Sequence, residues 1–408
     1  MSTLGNPARA RATRRSPAPL WVALVALAAA LPAAAQSVPE PAPSRVDSAA
    51  RLLAGLPATY PAHQRVMEFD AWREHKAALP AQWGEVKSAR AAAIIGWRNE
   101  VLTADCPAGR TLLYPFSGPD FLNAYLFFPR CETYVMFGLE RPGSVPAFET
   151  MGPRETERLL TDVRVAVGDL LERNYFITSH MTKQLTTPQL KGVLPVMLAA
   201  MALAGVRVDS VEPFDFWSAQ GFDPTAAGVA TPSRRMRAVK VTFTRPAAAQ
   251  PQTLYYFSLD ATDRALRSNP EFLPFLARHK PATVFLKSAS YLLHSPHFIG
   301  VRNVLLASGE VLVQDDTGMP YKILREKGWT VTLFGRYSKP VSVFNYGFQP
   351  DLDVAYREAL PPELPFPFSY HWQQGESNLL VARKLGARQV TLTAPVEPRE
   401  PRAAVRVD

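Results

Sequence analysis

The chain has 408 residues, of which 47% are hydrophobic, and it carries 45 basic and 36 acidic side chains. This length and composition allow a large buried core, and we expect two domains or lobes. A nucleic-acid-binding protein concentrates Lys and Arg in a stripe with aromatic residues. The only basic run of note is the short segment from Arg234 to Arg237, so we expect no nucleic-acid partner.

The first 35 residues have the pattern of a secretion signal. Four arginines precede a short apolar run over residues 20–31, and three alanines end at Ala35, which is a small-residue cleavage site. A membrane anchor requires about 20 apolar residues, so we expect cleavage after Ala35 and no stable membrane insertion afterwards. Cleavage leaves a net charge of about +5 and predicts a periplasmic or secreted protein.

The only two cysteines, Cys106 and Cys131, each precede a predicted strand. The strands cover residues 111–116 and 133–139, and a helix begins between them. The connection is long enough for a parallel pair, whereas a hairpin needs only about two to five residues. Both sulfurs then lie at one edge of the sheet, and export favours a disulfide. A catalytic or metal-ligating pair is the alternative, but the spacing lacks the Cys-x-x-Cys pattern.

Helices and strands alternate over the rest of the chain, which predicts a mixed α/β fold with a partly parallel sheet and helices on its faces. Further helices are predicted over residues 46–56, 67–97, 154–175, 187–204, 262–279 and 351–360, with another beginning near Tyr291. Further strands are predicted over residues 237–244, 253–259, 283–287, 310–314, 329–337 and 389–393. We expect Pro195 to kink the apolar helix that contains it.

The predicted organisation has five parts. They are the signal peptide (1–35), a proline-rich tether with a short helix (36–60), a first α/β lobe (61–245), a second α/β lobe (246–394) and a flexible tail (395–408). The order strand, serine turn, helix, strand and acid occurs twice, from Leu112 to Glu140 and from Thr283 to Asp316. A duplication would give two similar lobes. Alternatively, any α/β chain produces this order.

No nucleophile elbow, phosphate-binding loop or zinc-protease motif occurs in the sequence, so geometry selects the candidate residues. Open parallel α/β sheets bind ligands outside the carboxyl ends of their strands. This rule selects Ser117, Asp120, Glu140, Ser288, Ser290, Asp315 and Asp316. A serine at a helix start binds an anion or merely caps the helix. The aspartates supply a carboxylate, or they form a turn that ends a strand.

Histidines offer two further hypotheses. His371 or His180 could act as a general base, and a serine hydrolase would pair Ser117 with one of them. His294 and His297 are three residues apart, so on a helix they would share one face and could ligate zinc jointly, with Asp315 or Asp316 as a third ligand. The intervening Pro296 disfavours a regular helical turn there, so we expect no metal and no cofactor.

An aromatic, proline-rich segment runs from Phe344 to Trp372. Aromatic rings stack on sugars, quaternary amines or apolar groups, which makes Tyr370 and Trp372 candidate ligand-binding residues. Alternatively, the rings close the core beneath the loop.

Two functional hypotheses follow from the sequence. The first is an exported, non-catalytic α/β protein that binds a small molecule or a partner in the cell envelope. The second is a secreted hydrolase of an ester, phosphate or glycan, with its site at the carboxyl ends of the strands and Ser117, Asp120, Glu140, Asp315 and His371 as candidate catalytic residues.

Overall fold

A computed structural model describes residues 44–107, 109–176, 185, 190–216, 237–371 and 376–384, with His371 described in its backbone only. The predicted signal peptide and the tail from residue 395 lie outside these ranges. The helices are α1 (Arg45–Leu53), α2 (Asp70–Val86), α3 (Ala92–Val101), α4 (Phe121–Phe127), α5 (Pro153–Arg173), α6 (Leu194–Leu203), α7 (Asp263–Leu266), α8 (Phe272–Arg278), α9 (Ile299–Ser308), α10 (Tyr321–Glu326) and α11 (Pro350–Ala359). The strands are β1 (Thr111–Pro115), β2 (Thr133–Gly138), β3 (Arg207–Phe214), β4 (Arg237–Thr244), β5 (Gln252–Ser258), β6 (Ala282–Leu286), β7 (Gly309–Gln314), β8 (Trp329–Gly335) and β9 (Asn378–Lys384).

All nine of these strands join one mixed sheet in the order β3-β4-β5-β2-β1-β6-β7-β9-β8. The five central strands, β5, β2, β1, β6 and β7, run parallel. Antiparallel strands flank them on both sides. Strands β1 and β6 are buried along their whole length, as expected of parallel strands covered on both faces. The predicted mixed α/β fold with a partly parallel sheet is confirmed.

The module between the two cysteines has the predicted geometry. Strands β1 and β2 pair in parallel, with Thr111 opposite Thr133. Cys106 and Cys131 lie at disulfide distance, with their Cα atoms 5.2 Å apart. Because each cysteine precedes its strand, the bridge ties the amino ends of the pair together and leaves the carboxyl ends to the loops on the opposite side.

The two faces of the sheet carry separate cores. Leu112 of β1 belongs to a core that includes Phe121 of α4, whereas Leu113 of β1 belongs to the core that includes Phe272 of α8 and Leu305 of α9. Helix α4 connects β1 to β2, and α9 connects β6 to β7 in the opposite direction across the sheet. Parallel crossovers are right-handed almost without exception, so opposite directions put the helices on opposite faces. The boundary between β1 and β6 is therefore a topological switch point.

Some local predictions differ from the structure. Helix α6 begins at Leu194 and places Pro195 in its first turn, where a proline N–H is not needed, so the predicted kink is wrong. The helix expected near Tyr291 begins at Ile299, after two 3₁₀ turns. Strands β3 and β9 were not predicted, and the strand predicted over residues 389–393 lies outside the described residues.

Strands from both predicted lobes lie side by side in the one sheet, because β1 of the first pairs with β6 of the second. The division into two similar lobes stays a prediction. Within the described ranges, no helix combines the length and apolarity needed to cross a bilayer.

The disulfide gives the first testable prediction. Replacing Cys106 and Cys131 together by serine should lower the free energy of unfolding by about 3 kcal/mol, because the bridge closes a loop of 25 residues in the unfolded chain. Urea unfolding of the variant and of the oxidised protein measures the difference. Mass spectrometry of the non-reduced protein should show the cross-linked peptides, and free thiols at both positions would contradict the assignment.

Candidate functional site

A cavity of about 340 Å³ opens at the carboxyl ends of β5, β2, β1 and β6. The segments that follow these strands supply most of its lining, and Tyr175, Phe176 and Tyr370 complete it. The cavity therefore spans the switch point between β1 and β6, the place where open α/β sheets bind ligands. Its volume lies within the range of small-molecule sites, about 300–1,000 Å³.

A buried ion pair joins the segments after β1 and β6, and both of its residues line the cavity. Lys287 directly follows β6, and its Nζ lies 2.9 Å from Oδ2 of Asp120, with the two side chains 1% and 2% exposed. Asp120 also accepts hydrogen bonds from the Tyr114 hydroxyl and the Asn123 amide, each at 2.8 Å. Lys287 donates a second bond to the Asn174 carbonyl. These extra bonds offset the cost of desolvating two charges.

Glu140 brings a second carboxylate to the cavity, two residues beyond the end of β2. Burial raises the pKa of Glu140 above its ordinary value, and the N–H groups of Glu140 and Leu139 lower it part of the way back. A Cβ at Gly138 would lie only 2.8 Å from Oε2 of Glu140, so the glycine leaves room for the carboxylate. Lys287 is the one cationic side chain among the described residues of the lining, and it is paired with Asp120.

Ser117 lies in the turn after β1 and is 5% exposed. Its hydroxyl donates to the Gly118 carbonyl at 3.3 Å, and its N–H donates to the Phe137 carbonyl at 3.0 Å. None of the histidines whose side chains the structure describes lines the cavity. The described part of the site therefore contains no imidazole to activate Ser117.

Two serines after β6 form another part of the lining together with Tyr370. The Tyr370 hydroxyl donates to the Ser288 carbonyl at 2.9 Å. The Ser290 hydroxyl lies 2.7 Å from the same phenolic oxygen, and it acts as the donor because the Tyr370 proton is already used. The ring of Tyr370 packs edge-on against Tyr175 at 4.9 Å. These contacts hold Tyr370 in place at the cavity.

Asp315 does not line the cavity, but it holds one of the residues that do. Its carboxylate accepts the N–H of Ser288 at 2.8 Å and the hydroxyl of Ser369. The Ser288 hydroxyl lies 3.1 Å from the Ser369 hydroxyl. Burial, together with the neighbouring Asp316, raises the pKa of Asp315 to about 7. Asp315 thus positions the Ser288 turn from behind.

Asp316 has structural partners of its own. Its carboxylate accepts hydrogen bonds from the Tyr291 hydroxyl and from the Asn378 amide. Its N–H donates to the Asn378 side-chain oxygen at 2.8 Å. These bonds join the segment after β7 to the start of β9.

Left-handed backbone conformations cluster around the cavity. Phe116, Ser288 and Ser290, all in its lining, have φ values of 58°, 52° and 52°. Such a conformation costs a residue with a Cβ roughly 1–2 kcal/mol. Residues held in this way concentrate at active sites and ligand-binding sites, which supports the assignment of the cavity as the functional site.

The structure brings a set of the predicted candidates together. Six of them line the one cavity: Ser117, Asp120, Glu140, Ser288, Ser290 and Tyr370. Asp315 is one hydrogen bond behind Ser288. His180, Trp372 and the side chain of His371 lie outside the described residues.

The predicted histidine pair does not form a metal site in the described structure. His294 ends one 3₁₀ turn and His297 lies in the next, with Pro296 beginning the second turn. Burial lowers the pKa of His294 to about 4. No group of three or more His, Cys, Asp or Glu side chains among the described residues could hold a metal ion.

Several site residues were not identified from the sequence. Lys287 carries a signal, since a lysine directly after an apolar strand reaches the carboxyl edge of the sheet. Tyr114 and Phe116 resemble ordinary strand residues, and Gly138 resembles a strand end. Their roles depend on which strands are neighbours.

Comparisons with protein-family models, with curated proteins and with solved structures found no match for this chain. The assignment of the site therefore depends on its geometry and chemistry.

The buried ion pair gives the second prediction. Lys287→Met should lower the free energy of unfolding by about 3–5 kcal/mol, because it leaves the Asp120 carboxylate buried without its counter-ion. Urea unfolding measures the change. The control is Glu363→Gln, which breaks an exposed pair with Arg336 and should change stability by less than about 1 kcal/mol. An equally small loss in both variants would contradict the role assigned to Lys287.

The third prediction concerns pH. The pKa of Asp315 is raised from 3.8 to about 7 on folding, so the stability that its protonated carboxyl contributes is fully present below about pH 4. That contribution is lost as the pH rises towards 7. The Asp315→Asn variant has no group that ionises at this position. Over this window its free energy of unfolding should therefore fall by up to about 1.4 kcal/mol per pH unit less than that of the wild type.

Urea unfolding at several pH values compares the slopes of the two proteins. Asp351→Asn, at an exposed position on α11, should keep the wild-type slope. A wild-type slope in Asp315→Asn would refute the raised pKa.

Proposed function

We propose that the protein is exported and binds a small molecule in the cavity at the switch point, without converting it. The observation that carries the proposal is the convergence on one cavity of candidate site residues that were selected from the sequence. Ser117 and Asp120 after β1, Glu140 after β2 and Tyr370 near the end of the described chain come from three separate parts of the sequence, and all line it. A cavity with apolar walls and a few placed polar groups is the usual form of a small-molecule site.

Export is supported by two features. The basic start and short apolar run before Ala35 have the pattern of a cleavable signal, although they lie outside the described residues. The Cys106–Cys131 pair at disulfide distance suits an oxidising compartment. Together they favour a periplasmic or secreted location.

Binding is favoured over turnover because the reactive groups are engaged in fixed contacts. The Lys287 ammonium is paired with Asp120, and the Ser117 hydroxyl donates to a backbone carbonyl. Nucleophilic catalysis by serine needs a base within hydrogen-bond reach, and the described hydrogen bonds give Ser117 none. The hydrolase stays the alternative, and its support is the presence of Ser117, Asp120 and Glu140 at one cavity.

The fourth prediction tests the cavity with a neutral dye, 6-propionyl-2-dimethylaminonaphthalene, whose fluorescence increases in apolar surroundings. The native cysteines are disulfide-bonded, so Leu139→Cys introduces a single free thiol at a lining residue that is 65% exposed. Labelling this thiol with pyrene maleimide should weaken dye binding at least about tenfold, a loss of about 1.4 kcal/mol, because the pyrene occupies the cavity mouth.

The matched control is Val165→Cys, on α5 and 52% exposed, whose labelling should leave dye binding unchanged. Equal binding by both labelled proteins would place the dye elsewhere and contradict the proposal. Release of p-nitrophenol from p-nitrophenyl acetate that is lost in Ser117→Ala would also contradict it and would favour the hydrolase.

A further inference from the structure

We propose that the ligand of the cavity is an organic cation with an apolar body, and that Glu140 is its counter-ion. This inference rests on the proposed function and names the chemical class of the ligand. It follows from the charged side chains of the cavity lining, from the aromatic rings of the same lining and from the room that Gly138 leaves for the Glu140 carboxylate.

The ion pair at the cavity does not provide an anion site. Lys287 Nζ is 2.9 Å from an Asp120 oxygen and also donates to the Asn174 carbonyl. The pair is neutral as a whole, and its charges offset each other. A ligand anion would have to compete with the Asp120 carboxylate for the same ammonium.

Among the described contacts, the Glu140 carboxylate has no cationic partner, unlike that of Asp120. The Glu140 carboxylate faces the N–H groups of Leu139 and Glu140, and burial raises its pKa. Asp260, an exposed residue of the lining, adds a second negative charge, and its Oδ1 accepts only the N–H of Thr262 among the described contacts. A ligand cation would offset the cost of burying the Glu140 charge.

Two groups of aromatic rings line the same cavity. Phe116 packs edge-on against Phe137 and Phe298, at 5.8 Å and 5.7 Å between ring centres. Tyr175 and Tyr370 form a second pair. All five rings line the cavity, and the faces of such rings attract ammonium groups, most strongly where water is excluded.

Gly138 leaves room for the Glu140 carboxylate in the same lining. A side chain at this position would meet Glu140 Oε2 at 2.8 Å and the Gly118 nitrogen at 3.3 Å. The glycine thus gives space to the Glu140 carboxylate beside the turn that follows β1. This arrangement places the negative charge inside the cavity lining.

The fifth prediction uses three probes that share a phenyl ring. They are benzyltrimethylammonium, its neutral isostere neopentylbenzene, and the phenylmethanesulfonate anion. Each is titrated against the wild-type protein carrying the bound neutral dye, and displacement is followed by fluorescence. The cation should bind about tenfold more tightly than the neutral isostere, since it gains both the Glu140 charge and the ring faces, and the anion should bind most weakly.

Glu140→Gln should lower the affinity for the cation about tenfold and leave that for the neutral probe unchanged. Because burial already disfavours the charged carboxyl, the amide should be accepted, and urea unfolding checks that the variant folds. Glu358→Gln, at an exposed position on α11, should bind all three probes as the wild type does.

The outcomes separate the two proposals. If the dye binds in the cavity but the cation has no advantage over the neutral or anionic probe, the cation inference is wrong and the proposed function stands. The same conclusion follows if the cation preference survives in a folded Glu140→Gln protein. If neither the dye nor any probe binds, or if labelling at residue 139 has no effect, the cavity is not a ligand site and both proposals fail.

Discussion

The ion pair between Asp120 and Lys287 is the interaction on which the rest of the site depends. It joins the segments after β1 and β6, the two strands at which the direction of the chain across the sheet reverses. Helices that leave a switch point lie on opposite faces, so no crossover covers the ends of the strands there and a crevice opens.

A buried charge pair with good hydrogen bonding tolerates little displacement. The Lys287 bond to the Asn174 carbonyl brings the end of α5 to the same place, and α5 is followed by Tyr175 and Phe176 of the cavity lining.

The turns around the crevice are held by side chains, because their backbones have costly conformations. Ser288 has a left-handed φ and its N–H donates to the Asp315 carboxylate. Ser290 is in the same backbone region, and its hydroxyl bonds Tyr370. Residues with such rarely populated φ values persist only where several contacts with the surrounding structure hold their backbone in place. The serines selected as possible anion-binding residues thus have a structural explanation, and under the proposed function the groups that meet the ligand are the Glu140 carboxylate and the aromatic rings.

The sequence predicted the central module well and the rest of the site in part. The length of the connection between β1 and β2 favoured a parallel pair and hence the disulfide, and both are present. The rule that ligands bind at the carboxyl ends of parallel strands selected Ser117, Asp120 and Glu140, which share one cavity. It also selected Asp315, which lies behind the lining because the β7 segment is one strand farther from the switch point.

The predicted kink at Pro195 was wrong for a local reason, because a proline has opposite effects in the first turn of a helix and in its interior.

By itself, the sequence determined the fold class, the parallel β1–β2 pair and the end of the sheet at which the candidate site lies. Each of these follows from local properties: apolar runs, connection lengths and the position of cysteines before strands. Only the tertiary structure decided that β1 and β6 are neighbours. That pairing joins residues more than 150 positions apart, and no local pattern encodes which strands meet. It decided, in consequence, that Lys287 would neutralise Asp120 and that Glu140 would have no cationic partner among the described residues, because the balance of charge in a cavity depends on which strand ends face each other.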